Sequence, residues 1–182
     1  MIDSALFIFN QQLKYGRENN DSLTIGLAYK NQGNAYQEGS MHEKAIMSFK
    51  NSILYLNQDK YQKTLRKVYS FWGMSLFEMG KYDEAYDIYE RAMKVARQAG
   101  KTDEIASIYN NLGNLTWGIG DNPGALDFYR KSLAINRENK DSLQITINYV
   151  NIGGIHNYLE NYDSAHYYLA ESLKGFEHFN IN

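Results

Sequence analysis

Residues 109–125 read YNNLGNLTWGIGDNPGA, and their pattern decides the fold. An aromatic, Tyr109, stands four residues before Gly113, and Ala125 stands twelve after it. Between them a glycine-aspartate break at residues 120–121 is followed by Asn122 and Pro123, the residue types that open a helix. The same columns recur along the chain. Glycine returns at Gly33, Gly73, Gly113 and Gly153, one every 40 residues. The preceding aromatic is Tyr29, Tyr69, Tyr109 or Tyr149, and the following alanine is Ala45, Ala85, Ala125 or Ala165. Sixteen residues after each glycine come Phe49, Tyr89, Tyr129 and Leu169. Nineteen after come Ser52, Ala92, Ser132 and Ser172. Residues 17–23 (RENNDSL) reappear as residues 137–143 (RENKDSL), with one change. A fixed period of this length is the signature of a repeat architecture.

Each unit reads as two helices. The first starts near Ser22, Gln62, Thr102 or Ser142; the second follows breaks at residues 39–40, 80–81, 120–121 and 160–161. Asp83, Asp163 and Pro123 mark starts of second helices. Within those helices the alanine, aromatic and small columns share one apolar face. Small residues let the paired helices approach backbone to backbone, so each repeat glycine is expected to contact, or lie within one side chain of, the alanine of its own unit, with aromatics filling the cleft alongside. Residues 1–13 align with residues 161–173, which puts Ala5, Phe9 and Leu13 into second-helix columns. The expected architecture is therefore all-α: about nine helices, half a repeat plus four, in one array over residues 1–182. The expected divisions are 1–20, 21–60, 61–100, 101–140 and 141–182. Neither end carries a polar capping helix, which solenoids usually need. That suggests either a segment of a longer repeat protein or ends covered by partners or copies of the chain. Leu169, Leu173 and Phe176 are expected to form an apolar patch there.

The spacing, the two helices per unit, and stretches such as YNNLGN (109–114), GDNPGA (120–125) and GKYDEA (80–85) resemble the tetratricopeptide repeat. The 40-residue period is similar to the long-helix subgroup of kinesin light chains, spindle-orientation adaptors and bacterial regulatory arrays. The chain departs from it where Asn57, Arg97, Arg137 and Glu177 replace a closing proline, and where Ser40 and Glu160 replace a turn glycine. The resemblance implies a right-handed solenoid whose first helices line a concave groove for a protein or peptide. The groove residues it implies are Lys30, Asn34, Lys67, Met74, Phe77, Asn110, Asn114, Trp117, Asn157 and Tyr158. Asn34 and Asn114 sit where the family often grips ligand backbone, and Met74 and Gly154 interrupt that ladder. Phe77, Trp117 and Tyr158 read either as binding anchors or as contacts to the neighbouring first helix.

Composition narrows the function class. The 182 residues are 43% apolar and 22% charged, with 16 tyrosines, 14 glycines and one proline. The net charge of −2 lacks the basic excess of a nucleic-acid binder. There is no cysteine, and no apolar run long enough to span a membrane. Cysteine absence leaves both cytoplasm, the favoured compartment, and periplasm open. His42, His156, His166 and His178 have no metal-site spacing, and His156 falls in a packing column. No phosphate loop or nucleophile elbow is present. The reading is a binding module with no catalytic residue, metal or cofactor: either the sensing or scaffolding segment of a larger bacterial signalling or regulatory protein, or a stand-alone adaptor that joins partner proteins, with self-association through its uncapped ends as an option. The basic run Lys60, Lys63, Arg66 and Lys67 reads as solvated helix surface, with docking of an acidic partner as the alternative.

Overall fold

A three-residue turn every twenty residues sets the architecture. In the computed structural model, which describes residues 2–180 (main chain only at 59 and 178–180), the helices are α1 (Ile2–Glu18), α2 (Ser22–Glu38), α3 (His42–Leu56), α4 (Gln62–Glu78), α5 (Tyr82–Gln98), α6 (Thr102–Gly118), α7 (Asn122–Glu138), α8 (Ser142–Tyr158) and α9 (Tyr162–Asn180). A 3₁₀ turn at Asp59–Tyr61 precedes α4, and no strand occurs among the described residues. The turns close on a residue with positive φ: Asn20, Ser40, Gly80, Gly100, Gly120, Lys140 and Glu160. Four of these are not glycine, so part of the turn strain is retained.

Side chains close the helix starts. Asp21 accepts from the Thr24 amide at 3.1 Å, Asp121 from Gly124 at 2.9 Å, and Asp141 from Gln144 at 3.0 Å. The Thr24 hydroxyl also donates to Asp21 at 2.6 Å, and these bonds hold the Asp21 carboxyl below its ordinary value. The repeated RENxDSL motif has a matching role in both places. Arg17 donates to the Tyr29 hydroxyl at 2.9 Å and Arg137 to that of Tyr149 at 3.0 Å, tying the end of one second helix to the next first helix.

Helices cluster into two compact units, Met1–Ala99 and Gly100–Asn182. In the first, α1 packs on α2, α2 on α3, α3 on α4 and α4 on α5; in the second, α6 packs on α7, α7 on α8 and α8 on α9. The first core holds Ala45, Phe49, Leu56 and Val68, flanked by Tyr36, Ile53, Phe71 and Trp72. The second holds Ala125, Tyr129, Leu133, Ile152 and Ile155. Burying each large side chain contributes about 1.5–3 kcal/mol.

Three details sharpen or correct the sequence expectation. The nearest neighbours of Gly33, Gly73 and Gly113 are the rings that the sequence places alongside the alanines. A Cβ on Gly113 would lie 2.5 Å from the Tyr129 ring, and Gly33 and Gly73 face Phe49 and Tyr89 in the same way. The alanine sits one turn earlier on the facing helix, so the ring is what lies over the bare backbone. Second, Arg66 is not solvated surface: it is only 3% exposed. Its column holds Gly26, Ala106 and Thr146 in the other repeats, all buried. Gly26 faces Leu56 of the column that holds Ala96 in the second repeat, so a large residue on one side goes with a small one on the other. Lys60, Lys63 and Lys67 are exposed. Third, α9 continues as helix through Asn180, past the position where the other second helices give way to a turn. Leu169, Leu173 and Phe176 are exposed there, whereas their counterparts Tyr129, Leu133 and Asn136 are buried. The side chain of His178 lies outside the described residues.

Candidate peptide-binding faces of the first helices

In the first unit, α2 and α4 lie side by side. Gln37 on α2 donates to the Phe71 carbonyl at 3.2 Å and to the Ser75 hydroxyl at 3.1 Å. That register also brings Lys30 near Lys67. Burial, and then the charge of Lys67, push the Lys30 ammonium below the ordinary lysine value. Neither lysine has an ion-pair partner among the described residues. Met74 is exposed. Phe77 is half-buried, its ring 5.8 Å from that of Tyr82 across the interhelix turn, so it contributes to packing. Asn34 has a buried Oδ1 with no partner among the described residues.

The α6–α8 face of the second unit carries no charge at its groove positions. Tyr129 on α7 donates its hydroxyl to Asn114 Oδ1 at 2.6 Å. Burial raises that phenol well above its ordinary value, which keeps it a donor. Asn110 Oδ1 accepts from Asn151 at 2.9 Å and from Asn148 at 3.3 Å. Behind them Asn136 donates to Asn148 Oδ1 at 2.8 Å, and Asn148 donates to Ser132 at 3.1 Å. The oxygens of Asn110 and Asn114 are therefore engaged internally, and their N–H groups have no acceptor among the described residues. Trp117 is 47% exposed, Tyr158 68% and Val150 38%, and Asn157 is exposed beside them. Gly154 takes the column of Asn34, Met74 and Asn114, and nothing lies within 4 Å of the Cβ it lacks.

Of the ten groove residues expected from sequence, Lys30, Asn34, Lys67, Met74 and Phe77 fall in the first unit and Asn110, Asn114, Trp117, Asn157 and Tyr158 in the second. Sequence reasoning missed Tyr129 as the group that orients Asn114, and the buried asparagine cluster behind Asn110. A signal for the latter was available: Asn148 stands in a column otherwise held by Ala28, Val68 and Ile108. His156 packs flat on Tyr168, with centroids 5.7 Å apart and planes 2° from parallel. Burial and then Arg130 lower its proton affinity.

The tetratricopeptide repeat description matches residues 64–138 and 104–178. The chain belongs to the tetratricopeptide repeat family, whose members are scaffolds for protein–protein interaction. No curated protein sequence matches it. Among solved structures it is similar to BtubC (BKLC) from P. vanneervenii, with a TM-score of 0.76 at 17% identity, covering 88% of this chain and 66% of that one. It is also similar to a Rap protein complexed with competence and sporulation factor, at TM-score 0.73 and 13% identity, over 94% of this chain and 54% of that one. A third is the Podosopora anserina putative kinesin light chain with TPR-like repeats, at TM-score 0.77 and 10% identity, over 100% and 89%. The chain thus spans just under two thirds of BtubC and just over half of the Rap protein. These likenesses concern the fold.

Proposed function

We propose that the chain is a peptide-binding array, and that it serves as the sensing or scaffolding segment of a larger bacterial signalling or regulatory protein. The observation that carries the binding reading is the exposure of Trp117 and Tyr158 on first helices, at positions outside the packing columns. Large amphipathic side chains of this kind supply most of the energy of many interfaces. Lys30 and Lys67, close together and without counter-ions among the described residues, favour an acidic ligand segment at the first unit. The partial coverage of a Rap protein solved with a bound factor supports the regulatory context.

Panning a phage-displayed library of random dodecapeptides against the full chain tests the reading. Trp117→Ala is expected to weaken a selected peptide by about 30-fold, an anchor's worth of roughly 2 kcal/mol, without lowering the melting temperature. Selected peptides that bind Trp117→Ala and Lys67→Glu as well as the parent chain would refute it. The exposed face of α9 favours a second reading, an adaptor that self-associates through its end. Sedimentation that depends on concentration in the parent chain but not in Leu173→Glu is the expected outcome; a monomer at all concentrations excludes it.

A further inference from the structure

A crevice of about 210 Å³ opens between α3 and α5, with α4 as its floor. Leu76 and Ile88, both buried, and the half-buried Trp72 make its base apolar. Lys50 from α3 and Glu84, Asp87 and Arg91 from α5 stand around it, all of them exposed. The space is below the usual range for drug-sized ligands and suits one large side chain or one small metabolite.

The 40-residue repeat supplies the comparison. Between α1 and α3 the equivalents of Trp72 and Lys50 are Gln32 and Asn10, and Gln32 donates to Asn10 at 2.8 Å. Between α7 and α9 the equivalents of Leu76 and Ile88 are His156 and Tyr168, whose rings lie flat on each other. On α7 the equivalents of Asp87 and Arg91 are Asp127 and Lys131, which close an ion pair at 2.6 Å. In those copies the equivalent groups satisfy one another. At the α3–α5 crevice they stay apart. Asp87 and Arg91 stand one helical turn from each other, yet neither has an ion-pair partner among the described residues. Lys50 lies over the Trp72 ring, 5.4 Å from its centroid, and no carboxylate pairs with it among the described residues. Glu84 is engaged by Lys81 at 3.5 Å.

Two cations and one carboxylate are thus left over an apolar base of side-chain size. The cations call for a carboxylate and Asp87 for an ammonium. The base calls for an apolar group. A free α-amino acid with a large apolar side chain carries all three on one small frame. A residue inside a peptide has neither backbone charge, and a chain terminus has one.

We propose that the α3–α5 crevice binds a free apolar α-amino acid, its carboxylate between Lys50 and Arg91, its ammonium at Asp87 and its side chain over Trp72, Leu76 and Ile88. None of these is a groove position of the first helices, and the assignment does not rest on the peptide-binding reading.

L-phenylalanine titrated into the full chain is the probe, followed by the Trp72 indole N–H resonance in a Trp117→Phe background. A saturable shift with a Kd of about 1 mM or tighter is expected. N-acetyl-L-phenylalanine lacks the ammonium and L-phenylalaninamide lacks the carboxylate, so they stand in for the last and first residues of a peptide. Each is expected to bind roughly fivefold more weakly or worse. Asp87→Asn and Lys50→Gln exchange exposed groups; they should melt with the parent and lose about fivefold or more in affinity. No saturation by about 10 mM would overturn the assignment. So would either blocked probe binding as tightly as the free amino acid, or unchanged affinity in Asp87→Asn.

Discussion

The Tyr129 hydroxyl donates to Asn114 Oδ1 at 2.6 Å, and the corresponding pair two repeats earlier, Phe49 and Asn34, lacks that bond because phenylalanine has no hydroxyl. The same backbone geometry carries both pairs: each ring lies over its repeat glycine, Gly113 or Gly33. One copy satisfies its asparagine and the other leaves Asn34 Oδ1 buried and unpartnered. Phe49→Tyr should therefore supply the missing donor and stabilise the chain by about 1 kcal/mol, whereas Tyr129→Phe should cost about 1–2 kcal/mol. Urea denaturation of the two variants checks both signs.

Adjacent glycines should respond oppositely to the same change. A Cβ at Gly153 would press into the Leu169 side chain at 2.9 Å, while one at Gly154 meets open space. Gly154→Ala should add about 0.5–1 kcal/mol through helix propensity. Gly153→Leu should cost about 1–3 kcal/mol by overpacking. Thermal melts separate them.

The buried asparagines should be coupled. Asn148, 1% exposed, bonds Asn136, Ser132 and Asn110. Asn148→Ile restores the apolar residue of its column but strands Asn136, at a cost of about 1–3 kcal/mol. Adding Asn136→Leu, the residue found at Leu56, should recover part of the loss. A double-mutant cycle is expected to give an interaction of more than about 0.5 kcal/mol; strict additivity would deny the network.

Acid should loosen the second unit. Burial against Tyr168, and then the positive charge of Arg130, lower the pKa of His156 from its ordinary 6.5. For a base depressed by folding, the unfolded chain takes the extra proton first. The contribution is intact above about pH 6.5 and is lost as pH falls from there through the folded value. The melting temperature should drop over that interval, and less so in His156→Phe. A proton NMR titration placing His156 at or above 6.5 would contradict the assignment.

The starts of the first helices at Ser22, Gln62, Thr102 and Ser142 are readable because a turn or capping residue (Asp21, Asp59, Gly100 or Asp141) interrupts the apolar period just before each. Second-helix breaks were readable for the same reason. What stayed hidden depended on partners far apart in sequence. The 40-residue columns showed that Gly113 and Tyr129 recur together, but not that the ring lies on the glycine; a column records spacing and not direction. From sequence Arg66 reads as surface, because charge ordinarily seeks water. Its burial follows from a column of small residues, Gly26, Ala106 and Thr146, and from Ala96 at the place of Leu56. In the groove, the residue types of Trp117 and Asn114 are legible, but the bond that holds the Asn114 oxygen comes from a tyrosine on another helix.

The regular placing of positive-φ turns, at 20-residue intervals save where the 3₁₀ turn stands at Asp59–Tyr61, gives the array a mechanical character. Each helix and its turn form a segment of equal contour length. A chain pulled from its ends would pay out in equal increments, about 140 Å for each 40-residue repeat at roughly 3.5 Å per extended residue. Contour length along the chain is thus graduated by the repeat.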